Sequence, residues 1–196
     1  MRILIVGATG TIGTEVVKAL AAGNEIVAAA RKGADIVVDI QDPQSIQAMY
    51  RALGKVDAVV SAAGSGGWGP LAQLTDEDFE RSLRYKLMGQ VNLVRYGFDN
   101  VSDGGSFTLT SGILARSPML GSGAISLVNS GLEGFARAAA LEAPRGIRVN
   151  VVSPPWVSET LVAMGSDPSG GLPSEKVAKA YVASVTGSQT GAVIEP

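Results

Sequence analysis

The sequence predicts an α/β fold, a doubly wound parallel sheet within one domain spanning residues 1–196, and three observations carry that reading. A short, fully apolar run, Ile3–Val6, opens the chain as a strand buried on both faces requires, and further short runs rich in Val, Ile and Ala recur along it. Segments with apolar residues at helical spacing separate them. A glycine-rich turn follows the first run at once, as in a strand–turn–helix unit. Repeated βα units of this kind give a parallel sheet with right-handed crossovers.

The elements follow in order. Ile3–Val6 is the first strand and Thr14–Ala22 the helix after the glycine turn. Glu25–Ala30 reads as strand two and Ala34–Asp39 as strand three. Only Arg31-Lys32-Gly33 lies between them, which leaves no room for a crossover helix. Helix Pro43–Leu53 leads to strand four, Val56–Ser61. From Asp76 to about Asn100 the pattern is mostly helical, with Asp76-Glu77-Asp78 giving favourable charges at its N-terminus. Gly105–Thr110 is strand five, Gly123–Ala143 a helix of small residues and Ile147–Ser153 strand six. A looser segment with Pro155, Pro168 and Pro173 precedes helix Ser174–Val185, and Gly191–Glu195 closes the sheet. Residues 158–173 are the expected lid over a substrate, and Trp68 and Trp156 either roof its pocket or pack beside the sheet ends.

Composition narrows the function. Hydrophobic content of 46% with 25 glycines suits a tightly wound α/β protein. A net charge of −2 without a basic cluster argues against nucleic acid as partner. No apolar run reaches the length of a membrane span and Met1–Val6 is too short for a signal peptide, so the expected location is cytoplasmic, with no membrane partner. There is no cysteine and no histidine. Disulfides, thiolate nucleophiles, Ser-His pairs and the usual zinc sites are therefore excluded, and no metal is expected. Proton transfer falls to Asp, Glu, Tyr, Lys or water.

The turn itself, Gly7-Ala-Thr-Gly-Thr-Ile-Gly13, points to a ligand. A glycine-rich turn between strand and helix presents free backbone N–H groups and the positive end of a helix dipole to a pyrophosphate. Gly7, Thr9, Gly10, Thr11, Ile12 and Gly13 are its candidate contacts, in what is then a Rossmann-type dinucleotide site. An NAD site usually has an acidic side chain at the end of strand two, to take the ribose 2′-hydroxyl. Here Ala30 is followed by Arg31 and Lys32, whose charges suit a 2′-phosphate. NADP is thus expected over NAD; the bland alternative is a solvated Arg-Lys pair at a turn.

Taken together, these motifs resemble the short-chain dehydrogenase/reductase family over nearly the whole chain. The glycine turn matches that family's G-x-x-G-x-x-G form. The resemblance assigns Asp39, with Ile40 beside it, to the adenine, and Ser61-Ala62-Ala63-Gly64 to the family's Asn-Asn-Ala-Gly turn. Arg145–Pro154 resembles the strand-six signature, with Pro155 in place of its glycine, and Glu159 or Thr160 falls where a threonine often meets the carboxamide. The family's helices also imply a homodimer or homotetramer.

The resemblance further implies Asn, Ser, Tyr and Lys as catalytic residues, the last two at i and i+4 on one helix. Aligning Asn129–Phe135 with the family's Lys-Ala-Ala-Leu-Glu-Gly-Phe pattern puts Asn129 at the lysine, Ile125 at the tyrosine and Gly112 at the serine, next to Ser111. Lys86 stands at the helical asparagine. No tyrosine lies between Tyr96 and Tyr181, so a small shift of register restores nothing. Lys86 is the candidate replacement acid and Ser111 a candidate carbonyl donor; the alternative for Lys86 is a structural lysine bonded to backbone carbonyls. Tyr85 is about 100° from Lys86 around a helix, so the two should not face one site. Asn129 keeps a possible contact with the nicotinamide ribose. Two functions follow: an NADP-dependent oxidoreductase acting on a small carbonyl or alcohol, or a silent NADP(H)-binding protein that serves as redox sensor or interaction partner.

Overall fold

The chain, described over residues 1–196 by a computed structural model, builds one seven-stranded sheet in the order β3-β2-β1-β4-β5-β6-β7. The strands are β1 Arg2–Val6, β2 Glu25–Ala30, β3 Ile36–Val37, β4 Val56–Ser61, β5 Val101–Thr110, β6 Arg148–Val152 and β7 Val193–Ile194. Every neighbouring pair is parallel. The helices are α1 Thr11–Leu20, α2 Pro43–Leu53, α3 Asp76–Ser82, α4 Gly89–Gly97, α5 Gly123–Glu142, α6 Ser158–Ala163 and α7 Ser174–Thr186. The predicted α/β architecture is therefore the observed one.

Alternate side chains of the strands feed two cores. Leu4, Val59, Phe107 and Val149 point toward α2, α4 and α5, and Ile3, Ile5 and Val60 toward α1 and α7. The Tyr181 side chain of α7 is fully buried in the second core. Its hydroxyl lies 2.6 Å from Thr110 Oγ1, which donates to the Ser61 carbonyl. The position on α7, on the face opposite α5, removes Tyr181 from any role at the Ile125 position. Burial raises its pKa far above the usual phenol value. Tyr181→Phe is expected to lower stability by about 1 kcal/mol in urea unfolding, the net worth of one buried hydrogen bond. Tyr181→Ala is expected to cost about 3–5 kcal/mol by opening a cavity.

The structure corrects several boundaries. Strand three has two residues rather than the six of Ala34–Asp39. With five residues to turn back from Ala30, the chain can rejoin only the end of β2, where Ala29 faces Ile36. Before that point the Asp35 carboxylate stands in for a strand and accepts from the Ala28 N–H. Helix α1 begins at Thr11, because Gly10 already serves as its N-cap. Strand β5 begins at Val101, continuing through the bulge opposite Val56 and Ala58. The looser segment after β6 contains helix α6.

The long helical stretch is interrupted. A capping box between Thr75 and Asp78 starts α3, as the acidic run predicts. Residues Leu83–Met88 then form a wider π-helical turn before α4. Gly89 packs there against Ile40, whose side chain would lie 2.9 Å from any added Cβ. Wide turns of this kind hold an extra residue and often mark functional positions; this one carries Tyr85 and Lys86.

Candidate functional site

The glycine turn takes its shape from two close approaches. Gly7 has φ +84°, and a Cβ there would lie 2.9 Å from Ala62 C and Ala63 N. Only glycine holds that backbone conformation without strain while touching the turn after β4. At Gly13 an added Cβ would fall 2.0 Å from the Gly7 carbonyl oxygen, so the first turn of α1 lies directly on the loop. No side chain caps α1, and the Thr14 N–H is the first in the helix to find a helical carbonyl, at Gly10. The amides of Thr11, Ile12 and Gly13 thus remain free at the positive end of the helix.

The loop opens on a cleft of about 520 Å³. Gly7, Thr9 and Gly10 form its floor, Arg31 and Lys32 its rim, and Ile40 and Ala62-Ala63-Gly64 its far walls. Nine of the residues expected to hold a cofactor are therefore brought together. Thr11, Ile12 and Gly13 stand just behind the loop, in the first turn of α1, and do not line the cleft. Asp39 does not line it either, although Val38 and Ile40 on each side do. Its Oδ1 accepts from the Gln41 N–H and its own N–H donates to Ser45 Oγ, so it shapes the turn into α2.

Tyr85 lines the same cleft, a role that sequence reasoning missed. The Arg31 guanidinium carbon sits 5.6 Å from the centre of its ring, within cation–π range. The separation of about 100° around the helix implies that Tyr85 and Lys86 point in different directions, and which of them meets the cleft is set by packing.

Lys86 does face elsewhere. It is 8% exposed, and its Nζ donates to the Ser111 carbonyl at 3.0 Å. Its stem packs on Gly64, where an added Cβ would come within 3.0 Å of the lysine Cγ. Burial lowers its pKa from 10.5 to about 8. Lys86 and Glu133 are the two charged side chains of the chain that are buried, and Ser111 touches both. Its carbonyl accepts from Lys86, and its hydroxyl donates to Glu133 Oε1 at 3.1 Å. The hydroxyl expected to hold a substrate oxygen is thus engaged by a carboxylate. Glu133 in turn lies 3.8 Å from Arg116 Nε.

Asn129 does not reach the cleft lining. Its Nδ2 makes a long contact of 3.5 Å with the Gly112 carbonyl, and its buried Oδ1 has no partner. Ile125, one turn earlier on α5, rests on Gly66, where an added Cβ would come 2.7 Å from Ile125 Cδ1. Glu159 binds the N–H and hydroxyl of Ser174 at the start of α7, which holds its pKa below the usual carboxylate value and commits it to the helix end. Trp68 and Trp156 meet edge to face, ring centres 5.8 Å apart.

A parallel α/β sheet with a glycine-floored cleft at the carboxyl ends of β1, β2 and β4 defines the chain as a dinucleotide-binding Rossmann protein. The family model described as Enoyl-(Acyl carrier protein) reductase matches residues 7–189, and the chain belongs to the short-chain dehydrogenase/reductase family. It is 32% identical over 117 residues to hydroxynaphthalene reductase arp2 of Aspergillus fumigatus, covering 59% of this chain and 43% of that protein. It is 34% identical over 120 residues to the 3-oxoacyl-[acyl-carrier-protein] reductase of Mus musculus, covering 60% and 51%. The match thus spans about half the length of these relatives. Among solved structures, protein lin1944 of Listeria innocua is 42% identical with a TM-score of 0.95, over 100% of this chain and 98% of that one. A small-chain dehydrogenase in complex with NADPH is 26% identical with a TM-score of 0.88, over 100% and 96%.

Proposed function

We propose that the protein is an NADP(H)-dependent oxidoreductase acting on a small carbonyl or alcohol, with Lys86, or a water next to it, handling the proton. The observation that carries this reading is the glycine-floored cleft with Arg31 and Lys32 at its rim; the stem of Lys86 packs on Gly64, which lines that cleft, while its amine points to the Ser111 carbonyl. The cleft residues fit a dinucleotide. Gly7, Thr9 and Gly10 on the floor let a pyrophosphate approach the uncapped first turn of α1, Arg31 and Lys32 suit a 2′-phosphate, and Val38 and Ile40 offer an apolar wall to a base. A structural relative holding NADPH supports the same choice. Hydride chemistry is supplied by the nicotinamide when bound. The chain's own part is to bind and orient it and to keep an amine of lowered pKa, able to exchange protons near neutrality.

Two observations favour the second reading, a silent NADP(H)-binding protein acting as redox sensor or interaction partner. The Lys86 amine is already held by Ser111, and apolar Ile125 stands where the family resemblance implies tyrosine.

Titration of the pure protein with NADPH and NADH, followed by a screen of aldehydes, ketones and quinones, tests both. NADPH is expected to bind more tightly than NADH. Arg31→Ala is expected to weaken NADPH about 10- to 100-fold, the worth of a charge-assisted contact, and NADH by less than about threefold. Equal loss for both nucleotides would overturn the 2′-phosphate assignment. NADPH binding without oxidation by any carbonyl would favour the silent reading.

A further inference from the structure

Both cations that line the cleft stand on its rim, and one of them is held by an aromatic ring. Arg31 and Lys32 follow directly on β2, in an exposed turn. Neither enters an ion pair within the chain, and no carboxylate lines the cleft. An arginine in that setting has many rotamers open to it, and a ligand that captures it has to remove that freedom. Here the guanidinium carbon already lies over the Tyr85 ring, 5.6 Å from its centre, where the negative face of the ring attracts a cation.

Tyr85 is itself fixed. Its side chain is half-buried and packs against the core that α2, α4 and α5 cover. It belongs to the wide helical turn Leu83–Met88, which is pinned at two points. The Lys86 stem lies on Gly64, where an added Cβ would be 3.0 Å from the lysine Cγ, and Gly89 lies on Ile40, where the corresponding distance is 2.9 Å. Gly64, Ile40 and Tyr85 all line the cleft. The cleft's own walls thus hold the turn, the turn holds the ring, and the ring holds the arginine. A cation on a ring face keeps its N–H groups available, since that contact uses the charge and none of the donors.

We propose that Tyr85 is a specificity-determining residue: its ring positions the Arg31 guanidinium for a ribose 2′-phosphate and so sets the preference for NADPH over NADH. The inference rests on the NADP(H) reading of the cleft and names the side chain that enforces it. Orienting the arginine in advance lowers the ordering cost of the phosphate contact. The ribose of NADH carries a hydroxyl at that place, gains no contact between opposite charges there and draws little benefit from a fixed arginine. Tyr85 acts through Arg31, as a positioning residue.

Calorimetric titration of the full chain with NADPH and with NADH tests this through the ratio of the two affinities, which needs no turnover. Tyr85→Leu and Tyr85→Met, two ringless replacements that keep an apolar side chain against the core, are each expected to lower the NADPH-to-NADH ratio about 3- to 10-fold, the worth of a half-exposed cation–π contact. Tyr85→Phe keeps the ring face and is expected to hold the ratio within about twofold of the wild type. In an Arg31→Ala background, Tyr85→Leu is expected to change the ratio no further, because the group it positions is gone. An equal fall of the ratio with and without Arg31 overturns the proposal, since Tyr85 would then act on the nucleotide itself. A ratio that is kept or raised in Tyr85→Leu and Tyr85→Met also overturns it, since Arg31 would then leave the ring when the nucleotide binds. Those two outcomes leave the cofactor reading standing. A wild-type protein that binds neither nucleotide, or both equally, overturns the NADP(H) reading and the role of Tyr85 with it.

Discussion

Gly13→Ala is expected to lower stability by at least about 3 kcal/mol and to abolish measurable NADPH binding, the largest effect of any single methyl in the chain. The added Cβ would sit 2.0 Å from the Gly7 carbonyl oxygen, a distance that no rotamer change relieves because both partners are backbone. Either α1 moves off the loop or the loop leaves the turn after β4. Both outcomes displace the three free amides from the place proposed for a pyrophosphate. Gly10→Ala provides the contrast. Its φ of −82° is open to alanine, and the new Cβ would meet the Gly7 oxygen at 3.3 Å. That variant should keep a melting temperature within a few degrees of the wild type, while NADPH affinity falls at least about tenfold, because the methyl occupies the cleft floor. Thermal unfolding and NADPH fluorescence read the two effects separately. A Gly13→Ala protein with wild-type melting temperature would mean that the helix does not pack on the loop as described.

The second large effect concerns Lys86. Burial depresses its pKa in the folded protein from 10.5 to about 8. Below pH 8 both the folded and unfolded chains carry the proton, and the full penalty for a buried cation is present. Between pH 8 and 10.5 the unfolded chain binds more protons than the folded one, so stability rises with pH, by up to about 3 kcal/mol from this group. Lys86→Met keeps the length of the side chain and removes the charge. At pH 7 the variant is expected to be more stable by about 2 kcal/mol, the penalty less roughly 1 kcal/mol for the hydrogen bond lost to Ser111. The gain should shrink toward zero or reverse near pH 10. Urea unfolding of both proteins at the two pH values isolates this term, since the other titrating groups cancel in the difference. A constant difference across that range would show that Lys86 is not a buried charge. The same variant separates the two functional readings. Turnover lost with NADPH affinity kept places Lys86 in the reaction; turnover unchanged makes it structural.

Much of this was legible in the residues. Strands β1, β4 and β6 are short and mostly apolar, with Val and Ile predominating, as burial between two layers of helix requires. The glycine turn is a local motif, and its position directly after a strand already implies an amide cradle. The absence of cysteine and histidine left lysine as a candidate acid without any structure. The shortened β3 was half legible: the lack of a crossover helix follows from the length of the linker, but where the chain rejoins β2 depends on the sheet.

Other features depend on contacts between distant parts of the chain. Ser111 and Glu133 are 22 residues apart, and nothing local in either announces that they meet. The family resemblance singles out Lys86, but nothing in its local sequence shows that it is buried or that its amine meets the Ser111 carbonyl. It is buried because a wide helical turn and Gly64 bring its stem against the back of the cleft. The Arg31 guanidinium meets the Tyr85 ring because the turn after β2 and the wide helical turn border one cleft, which only the course of the chain over the sheet ends arranges.

The sequence by itself determined the parallel α/β architecture, the glycine loop and the basic rim after β2, since these rest on periodicity and turn chemistry within a few residues. The tertiary structure alone decided which side chains are buried beside the cleft, which hydroxyls are already engaged and which apolar groups remain exposed. Burial, hydrogen-bond pairing and exposure are properties of a side chain's neighbours in space, and those neighbours are set by packing across the sheet.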